Sequence, residues 1–408
     1  MKVTGYTDKL SVEPGETLDF MISSQAESYR SDLVRLIHGD TNPNGPGFKC
    51  EAVRSEVSGE REGRVQELRP GSYVRVAAPE RGFDPQSGFR IEAWIYPTTP
   101  DKERQALVSR RGAFELALAE GRLELRVGES VAQLDAGIEQ PAWFFVSASY
   151  DGETGEATLA LTPLEPTTGR PAATTTLSLA PPPKGHRSSA DLLIAAAEGD
   201  DGVTDFYNGK LEAPRVVAAG EELASWDFSA EVSSRRVRDV SGNGLDGRTV
   251  NLPTRGVTGH TWDGSEMAWR HAPGQYGAIH FHDDDLDDAG WEVDFALTVA
   301  PDTPSGIYAV RVEAAGECDH IPFFVRRRRD RPPAKILFLV PLFSYLAYAD
   351  EQVMTVLLDP EVREGWMRRF AERYPGMEPG AAQREYPSTP EDRYVVENRL
   401  LSAYDTHG

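Results

Sequence analysis

Residues from about 66 to 219 consist of short segments in which apolar and polar residues alternate. Successive side chains of a β-strand point to opposite faces, so this alternation indicates strands with one buried and one exposed face. Gly and Pro residues separate the segments at short intervals, as in tight turns between antiparallel strands. The sequence therefore predicts an antiparallel β-sandwich, built on the segments 73–76, 89–96, 114–118, 123–127 and 144–150.

Four motifs within this region resemble a LamG or concanavalin-type jelly roll. They are RIEAWIYP at 90–97, WFFV at 143–146, YDG at 150–152 and FYNGKL at 206–211. A loop rich in Thr, Pro and Ala, residues 166–183, lies inside the region. We expect residues 61–225 to form this jelly roll, without a catalytic role.

Two further groups of strand signals flank the jelly roll, in residues 1–60 and 265–326. Each group alone has too few strands to form a stable sandwich. Because the termini of an inserted domain usually lie close together, the two groups can complete one sandwich around the insertion. We therefore expect a discontinuous β-sandwich from 1–60 plus 265–326, reached through a Gly-punctuated linker at 226–264.

A run of five apolar residues, 336–340, follows Pro332 and Pro333. Such a run is typical of a strand that is covered on both faces in a parallel sheet. Open α/β sheets bind their ligands just beyond the carboxyl ends of these strands. The residues that follow are too few for a typical domain of about 100–150 residues. We expect a mainly β chain in which 332–408 begins an α/β catalytic domain that is incomplete at Gly408.

The formal net charge of -22 at pH 7 limits the choice of partner. Nucleic acids and anionic membranes attract a concentrated basic face, so neither is expected as a partner. The basic run at 326–329 is expected to pair with carboxylates of the chain itself. Two cysteines, Cys50 and Cys318, exclude a disulfide framework and fit a reducing compartment. No apolar segment resembles a signal peptide or a membrane span, so we expect a cytoplasmic location.

Two histidines form one candidate metal site. His280 and His282 flank Phe281 on a predicted strand, so both rings should lie on one face and could ligate a divalent metal. Aspartates at 283–288 could add oxygen ligands for calcium, but their spacing is not that of an EF-hand. Because blocks of charge are usually exposed, the sequence favours a solvated acidic loop at 283–288.

Three tyrosines, Tyr345, Tyr348 and Tyr404, are the other candidates. A buried Tyr is usually a neutral, hydrogen-bonded core residue, and spacing alone favours that role. A hard trivalent cation would favour the deprotonated oxygen, so metal ligation is the second interpretation. The sequence contains no glycine-rich phosphate loop, no paired-cysteine motif and no HExxH or GxSxG motif.

Short motifs spread along nearly the whole chain carry a further resemblance. They are GYTD at 5–8, LVRLIHGD at 33–40, GPGFK at 45–49, NLPTRGVTG at 251–259, PSGIYA at 304–309, HIPFFV at 320–325, YLAY at 345–348 and YDTH at 404–407. In these motifs the chain resembles the large subunit of N,N-dimethylformamidase. The resemblance implies a mononuclear Fe(III) held by two tyrosinates and one glutamate in an amidotransferase-like α/β domain. It implies that Tyr348 and Tyr404 are the tyrosinates, with Tyr345 as the alternative to Tyr348, and that the glutamate lies beyond Gly408.

The same resemblance implies an amidohydrolase that converts small N-substituted formamides, such as N,N-dimethylformamide, to formate and an amine. It also implies a small companion subunit and homo-oligomerisation. Because one iron ligand is expected beyond Gly408, these 408 residues alone are expected to be inactive. The alternative is a non-catalytic β-sandwich binding module that recognises a glycan or a protein partner.

Overall fold

The computed structural model describes residues 2–39, 46–78, 83–165, 172–183, 187–332, 335–342 and 368. Strands dominate these ranges, so the prediction of a mainly β chain is confirmed. Two 3₁₀ turns, Pro85–Ser87 and Pro273–Gln275, are the helical elements of more than one residue in the described ranges. No helix in these ranges is both long enough and apolar enough to cross a membrane.

The strands follow one another in chain order and belong to two compact units. They are β1 (Val3–Thr7), β2 (Ser11–Val12), β3 (Thr17–Ser24), β4 (Ser28–His38), β5 (Lys49–Ala52), β6 (Gly59–Glu62), β7 (Tyr73–Val76), β8 (Phe89–Pro97), β9 (Gln105–Arg110), β10 (Phe114–Ala119), β11 (Arg122–Val127), β12 (Ser130–Gly137), β13 (Phe144–Tyr150), β14 (Glu156–Pro163), β15 (Ala173–Ser178), β16 (Leu192–Ile194), β17 (Ala197–Glu198), β18 (Val203–Thr204), β19 (Gly209–Ala218), β20 (Glu221–Asp227), β21 (Arg236–Asp239), β22 (Gly247–Val250), β23 (Thr254–Val257), β24 (Ala278–Phe281), β25 (Phe295–Thr298), β26 (Gly306–Ala314) and β27 (Glu317–Val325).

The first unit, Met1–Glu67 with Gly290–Gly408, contains two sheets around one apolar core. One sheet has the order β1-β3-β25, and the other has the order β2-β27-β26-β4-β5 with β6 also paired to β4. Phe20 of the first sheet stacks on Phe295 at 5.3 Å between ring centroids and meets Phe323 of the second sheet at 6.0 Å. Burying a Phe side chain contributes about 2–3 kcal/mol, so these rings help to hold the two sheets together.

The second unit, Leu68–Ala289, is built on a long antiparallel sheet that folds around its own core. Its strand order is β12-β11-β10-β9-β16-β7-β22-β21-β20-β19-β8-β13-β14-β15, with β24 paired to β19 and β23 to β24. Strand β12 also contacts β14 and β15, so the two ends of this order meet. The small pair β17-β18 completes the unit.

Strand β8 shows how the alternating sequence produces this fold. Phe89, Ile91, Ala93 and Ile95 are buried, whereas the residues between them are partly or fully exposed. Strand β13 pairs antiparallel with β8 and alternates in the same way. The two strands therefore present one apolar face to the core and one mixed face that carries aromatic and polar side chains.

The expected linker at 226–264 is wrong, because this segment is part of the sheet of the second unit. Strand β20 pairs with β21, and β22 joins β21 to β7. Trp226 is 1% exposed, and its indole N–H donates to the carbonyl oxygen of Leu245 at 2.7 Å. The division between units falls at Glu67/Leu68 and Ala289/Gly290, rather than at 60/61 and 264/265.

The expected buried strand at 336–340 is also wrong. Residues 336–340 form no strand, and Ile336, Leu337 and Leu339 are each at least 85% exposed. A strand of a parallel sheet needs hydrogen-bonded neighbours, and none of the described strands pairs with this segment. Most of the expected α/β domain, residues 343–367 and 369–408, lies outside the described residues.

Candidate functional site

The three tyrosines that the sequence singles out, Tyr345, Tyr348 and Tyr404, lie outside the described residues. In the ranges that the structure describes, no three or more His, Cys, Asp or Glu side chains are grouped so that they could hold a metal ion. The iron site with Tyr348 and Tyr404 therefore stays a prediction.

His280 and His282 lie on one face, as the alternation predicts. Their ring centroids are 4.1 Å apart, and His282 Nδ1 lies 3.5 Å from Asp285 Oδ1. His280 Nε2 is buried without a hydrogen-bond partner. Because the described residues supply no set of three ligands here, the geometry gives no support for a divalent metal site at this pair.

The half-buried imidazole of His280 should make the stability of the second unit depend on pH. Burial, with smaller contributions from the charges of His282 and Lys210, lowers the pKa of His280 from 6.5 to about 4. Between these values the unfolded chain binds a proton that the folded chain does not, so the free energy of unfolding should fall as the pH decreases from 6.5 to about 4. Because the imidazole is only half-buried and solvent screens its charge, we expect a loss of about 1–2 kcal/mol, less than the full value at roughly 1.4 kcal/mol per pKa unit.

Urea unfolding of the wild type and of His280→Gln at several pH values measures this effect. The variant should lose this part of the pH dependence. His271→Gln is the matched control, because the His271 side chain is 70% exposed in the same unit. A His280→Gln profile that runs parallel to the wild type would show that His280 is not the titrating group.

The acidic segment 283–288 is a mostly exposed loop, as the sequence favours, but three of its aspartates have partners in the same unit. Asp283 accepts a 2.7 Å hydrogen bond from Lys102, Asp285 accepts one of 2.6 Å from Ser72, and Asp287 forms an ion pair with Arg235. Burial raises the pKa of Asp283, but its bonds with Lys102 and Asn208 outweigh burial and leave the pKa below its usual value. These aspartates thus tie the segment to its own unit.

The basic run at 326–329 pairs with the chain's own carboxylates at two of its positions, as predicted. Arg326 lies 3.4 Å from Glu13 and 3.6 Å from Glu16, and Arg328 lies 2.8 Å from Asp330. These contacts account for Arg326 and Arg328 without a phosphate ligand.

A different candidate site lies on the mixed face of the second unit. In register across the sheet, His280 pairs with Lys210, and Lys210 pairs with Tyr96. Two residues further along each strand, Glu212 pairs with Trp94, and Trp94 pairs with Phe145. The core lies behind this face, where Ile95, Leu211 and Ile279 are fully buried. Large aromatic and charged side chains are thereby collected on the face turned away from the core.

Glu212 fixes the position of His260 on this face. One carboxylate oxygen, Oε2, accepts hydrogen bonds from the backbone N–H and the ring Nδ1 of His260, both at 2.7 Å. The Glu212 side chain is only 7% exposed. The imidazole stacks on Trp94 with 4.1 Å between ring centroids and 11° between planes. A carboxylate and an indole therefore hold this ring in one orientation and leave Nε2 as its free polar atom.

Local backbone features make room for the Glu212 carboxylate. A Cβ at Gly259 or Gly277 would lie 2.6 or 2.7 Å from Glu212 Oε1, so a larger residue at either position would displace the carboxylate from this place. The pairing of β19 with β8 is irregular between Glu212 and Arg215, and Ala213 there has a φ of 48°. Bulges of this kind re-aim side chains next to functional sites.

The aromatic pocket, as we call it, is a cavity of about 280 Å³ beside His260. Tyr96 and Trp143 form adjoining walls, with 5.7 Å between ring centroids and 62° between planes. Lys210 lies beside it, where its ammonium donates to Thr258 Oγ1 at 2.8 Å and sits 5.5 Å from the Tyr96 ring centroid. Burial lowers the pKa of Lys210. The lining consists of Tyr96, Ala142, Trp143, Leu164, Glu165, Thr258, Gly259, His260 and Trp262.

Only some of the pocket residues could be predicted from the sequence. Trp94 and Tyr96 occupy alternate positions of β8, so their exposure on one face could be predicted. His260 comes from the segment interpreted as a linker, and its contact with Glu212 spans 48 positions. Chemically, this arrangement can bind a small ring through aromatic faces and a fixed imidazole.

Known proteins resemble this chain over much of its length. A family model described as "N,N-dimethylformamidase beta subunit-like, C-terminal" matches residues 254–405. The N,N-dimethylformamidase beta subunit of Paracoccus aminophilus is 37% identical over 409 residues, covering 87% of this chain and 53% of that protein. The same subunit of an Alcaligenes species is 37% identical over 407 residues, covering 86% and 52%.

Among solved structures, a protein from Bacteroides ovatus ATCC 8483 is 12% identical and covers 61% of this chain and 96% of its own. Its TM-score of 0.32 is too low to support an argument about the fold. The chain spans about half the length of the curated relatives it matches, 53% and 52%. Over that part, the chain is a relative of the N,N-dimethylformamidase beta subunits.

Proposed function

We propose that this chain is the N-terminal part of the large subunit of an iron-dependent amidohydrolase. Its substrates are small N-substituted formamides such as N,N-dimethylformamide, and its products are formate and an amine. The observation that carries the proposal is the 37% identity to N,N-dimethylformamidase beta subunits over most of the chain. Because fold alone does not determine function, this proposal rests on that family identity and not on the strand architecture.

The iron proposal concerns Tyr348 and Tyr404. In the described ranges, no group of three or more His, Cys, Asp or Glu side chains could hold a metal ion. Both tyrosines fall within residues 254–405, the region that the family model matches. Two phenolate oxygens suit a hard trivalent cation because each contributes a negative charge. Tyr345 remains the alternative to Tyr348.

The remaining parts of the proposal concern assembly and domains. The relatives are named as beta subunits, which supports pairing of this chain with a small companion subunit. We extend the proposal to homo-oligomerisation, a cytoplasmic location and an α/β catalytic domain after residue 342. The alternating strands around one core support a LamG or concanavalin-type jelly roll as the fold of the second unit.

The direct test is hydrolysis by the full-length large subunit, co-expressed with its companion subunit and loaded with iron. We expect N,N-dimethylformamide to yield formate and dimethylamine in equal amounts, measured by an enzymatic formate assay and by chromatography of the amine. N,N-Dimethylacetamide, which carries one extra methyl group on the carbonyl, is the matched control substrate. If the iron-loaded complex released no formate from any N-substituted formamide, the proposal would be overturned.

A further inference from the structure

We propose that the aromatic pocket of the second unit binds a neutral saccharide ring. This inference goes beyond amide hydrolysis, because every residue that carries it lies within Leu68–Ala289 and none is a candidate iron ligand. The pocket has aromatic walls, a fixed imidazole and the Glu165 carboxylate in its lining, and the Lys210 ammonium lies beside the Tyr96 wall.

The aromatic walls are not explained by the core of the unit. Trp262 is 39% exposed, and Trp143 and Tyr96 are partly exposed on the face opposite the buried side chains. Both indole rings are partly buried, and the area that stays exposed gains none of the stabilisation that burial gives an aromatic side chain. Flat apolar faces that reach solvent around a cavity are suited to stack on the C–H face of a sugar ring.

The fixed imidazole supplies hydrogen-bonding specificity. Glu212 accepts from both the backbone N–H and the ring Nδ1 of His260, and Trp94 stacks on the ring, so His260 reaches the pocket already oriented. Its Nε2 can then bond one hydroxyl group of a ligand without a further loss of side-chain entropy. Glu165 adds a carboxylate to the lining that can accept from a second hydroxyl.

The charged side chains at the pocket, Lys210 and Glu165, favour a neutral ligand over an ionic one. Lys210 lies 5.5 Å from the Tyr96 ring centroid and so already occupies the cation–π position at that wall. A ligand cation such as an alkylammonium would meet its positive charge. A ligand anion would instead meet the carboxylate of Glu165 in the lining. A neutral polyol avoids both repulsions and offers hydroxyl groups to Glu165 and His260, which both line the pocket.

The size of the pocket limits the ligand to about one ring. Its volume of about 280 Å³ lies just below the range of small-molecule sites, which span roughly 300–1,000 Å³. A monosaccharide, or the terminal unit of a longer glycan, fits this limit.

The test is saturation-transfer NMR and tryptophan fluorescence on the whole 408-residue chain. The probes are methyl α-glucopyranoside, methyl β-galactopyranoside and N-acetylglucosamine, each titrated to about 10 mM, in the range of weak single-ring affinities. Dimethylammonium chloride and sodium formate are the charged probes. We expect at least one saccharide to bind saturably and neither charged probe to do so.

Three variants test the assignment to the pocket. Trp143→Ala should weaken saccharide binding by about 10-fold or more, since aromatic anchors dominate such sites. Trp143→Phe keeps a ring at the same position and should weaken it less. Trp262→Ala changes a residue that is 39% exposed, so it should keep the melting temperature while weakening binding.

Several outcomes would overturn the proposal. The first is that none of the three saccharides binds saturably. The second is that only a charged probe binds saturably. The third is that Trp143→Ala and Trp262→Ala both fold and bind the saccharide as tightly as the wild type. None of these outcomes bears on formamide hydrolysis. They measure ligand binding to the 408-residue chain, whereas hydrolysis is measured as formate release by the full-length complex. The two proposals can therefore fail separately.

Discussion

Replacing Tyr348 by Phe in the full-length large subunit is expected to reduce both iron content and formamide hydrolysis by at least about 100-fold. The substitution removes one phenol oxygen and keeps the ring, so the packing around it should change little. Changes in groups that only orient a metal ligand typically cost about 10–100-fold in metal affinity or activity. Loss of a direct anionic ligand should cost at least as much. Metal analysis, the tyrosinate-to-iron absorption band and formate release measure the effect independently.

Tyr345→Phe is the matched control for that experiment, because it makes the same chemical change three residues away. We expect it to retain iron, colour and turnover. If Tyr345→Phe lost iron and Tyr348→Phe kept it, Tyr345 would be the ligand. If both variants kept full iron content, neither tyrosine would bind it. Tyr404→Phe should match Tyr348→Phe in all three measurements.

The sequence predicted strands best where the alternation of apolar residues is long. It placed strands at 89–96 and 144–150, and the structure has them at Phe89–Pro97 and Phe144–Tyr150. At least seven residues of strict alternation define which face is buried, because a shift by one residue would turn every apolar side chain to solvent. Local sequence is then enough to locate the strand.

Short strands and continuous apolar runs were predicted less well. Strands β21, β22 and β23 have four residues each, too few for a clear period, and glycines between them suggested a linker. The run at 336–340 shows the opposite problem, since its composition fits a buried strand but pairing decides whether one forms. In both cases the outcome depends on which distant strands are hydrogen-bonded to each other. This pairing cannot be inferred from the local pattern of residues in a single sequence.

The aromatic pocket combines a predictable and an unpredictable part for the same reason. The faces of β8 follow from alternation, whereas the approach of His260 to Glu212 depends on the pairing of β24 with β19 and on two glycines in separate loops. The exposure of the acidic segment at 283–288 follows from its charge, whereas its partners Lys102, Ser72 and Arg235 come from distant parts of the chain and do not follow from it. Long-range partners decide whether a polar residue is exposed or part of a site.

Arg104 is the residue of the second unit at which a long-range polar contact should matter most for stability. Its side chain is 18% exposed and lies 2.7 Å from Glu115, 2.6 Å from Glu124 and 3.3 Å from Asp205. Burial alone would lower the pKa of Arg104, but its hydrogen bonds with Glu124 and Glu115 outweigh burial and raise it. One guanidinium thus neutralises a group of largely buried carboxylates.

Arg104→Met should lower the free energy of unfolding of the second unit by about 3–5 kcal/mol, because it leaves carboxylates buried without a partner. Methionine keeps most of the aliphatic volume, so the loss reports on charge and not on a cavity. Arg111→Met is the control. The side chains of Arg111 and its partner Asp200 are 47% and 91% exposed, so this substitution should change the free energy of unfolding by less than about 1 kcal/mol.

Adding Glu115→Gln and Glu124→Gln to Arg104→Met should restore part of the lost stability, because the unpaired charges are then removed. Urea unfolding of all four proteins distinguishes the outcomes, and equal stability of Arg104→Met and Arg111→Met would show that this buried charge group does not stabilise the unit.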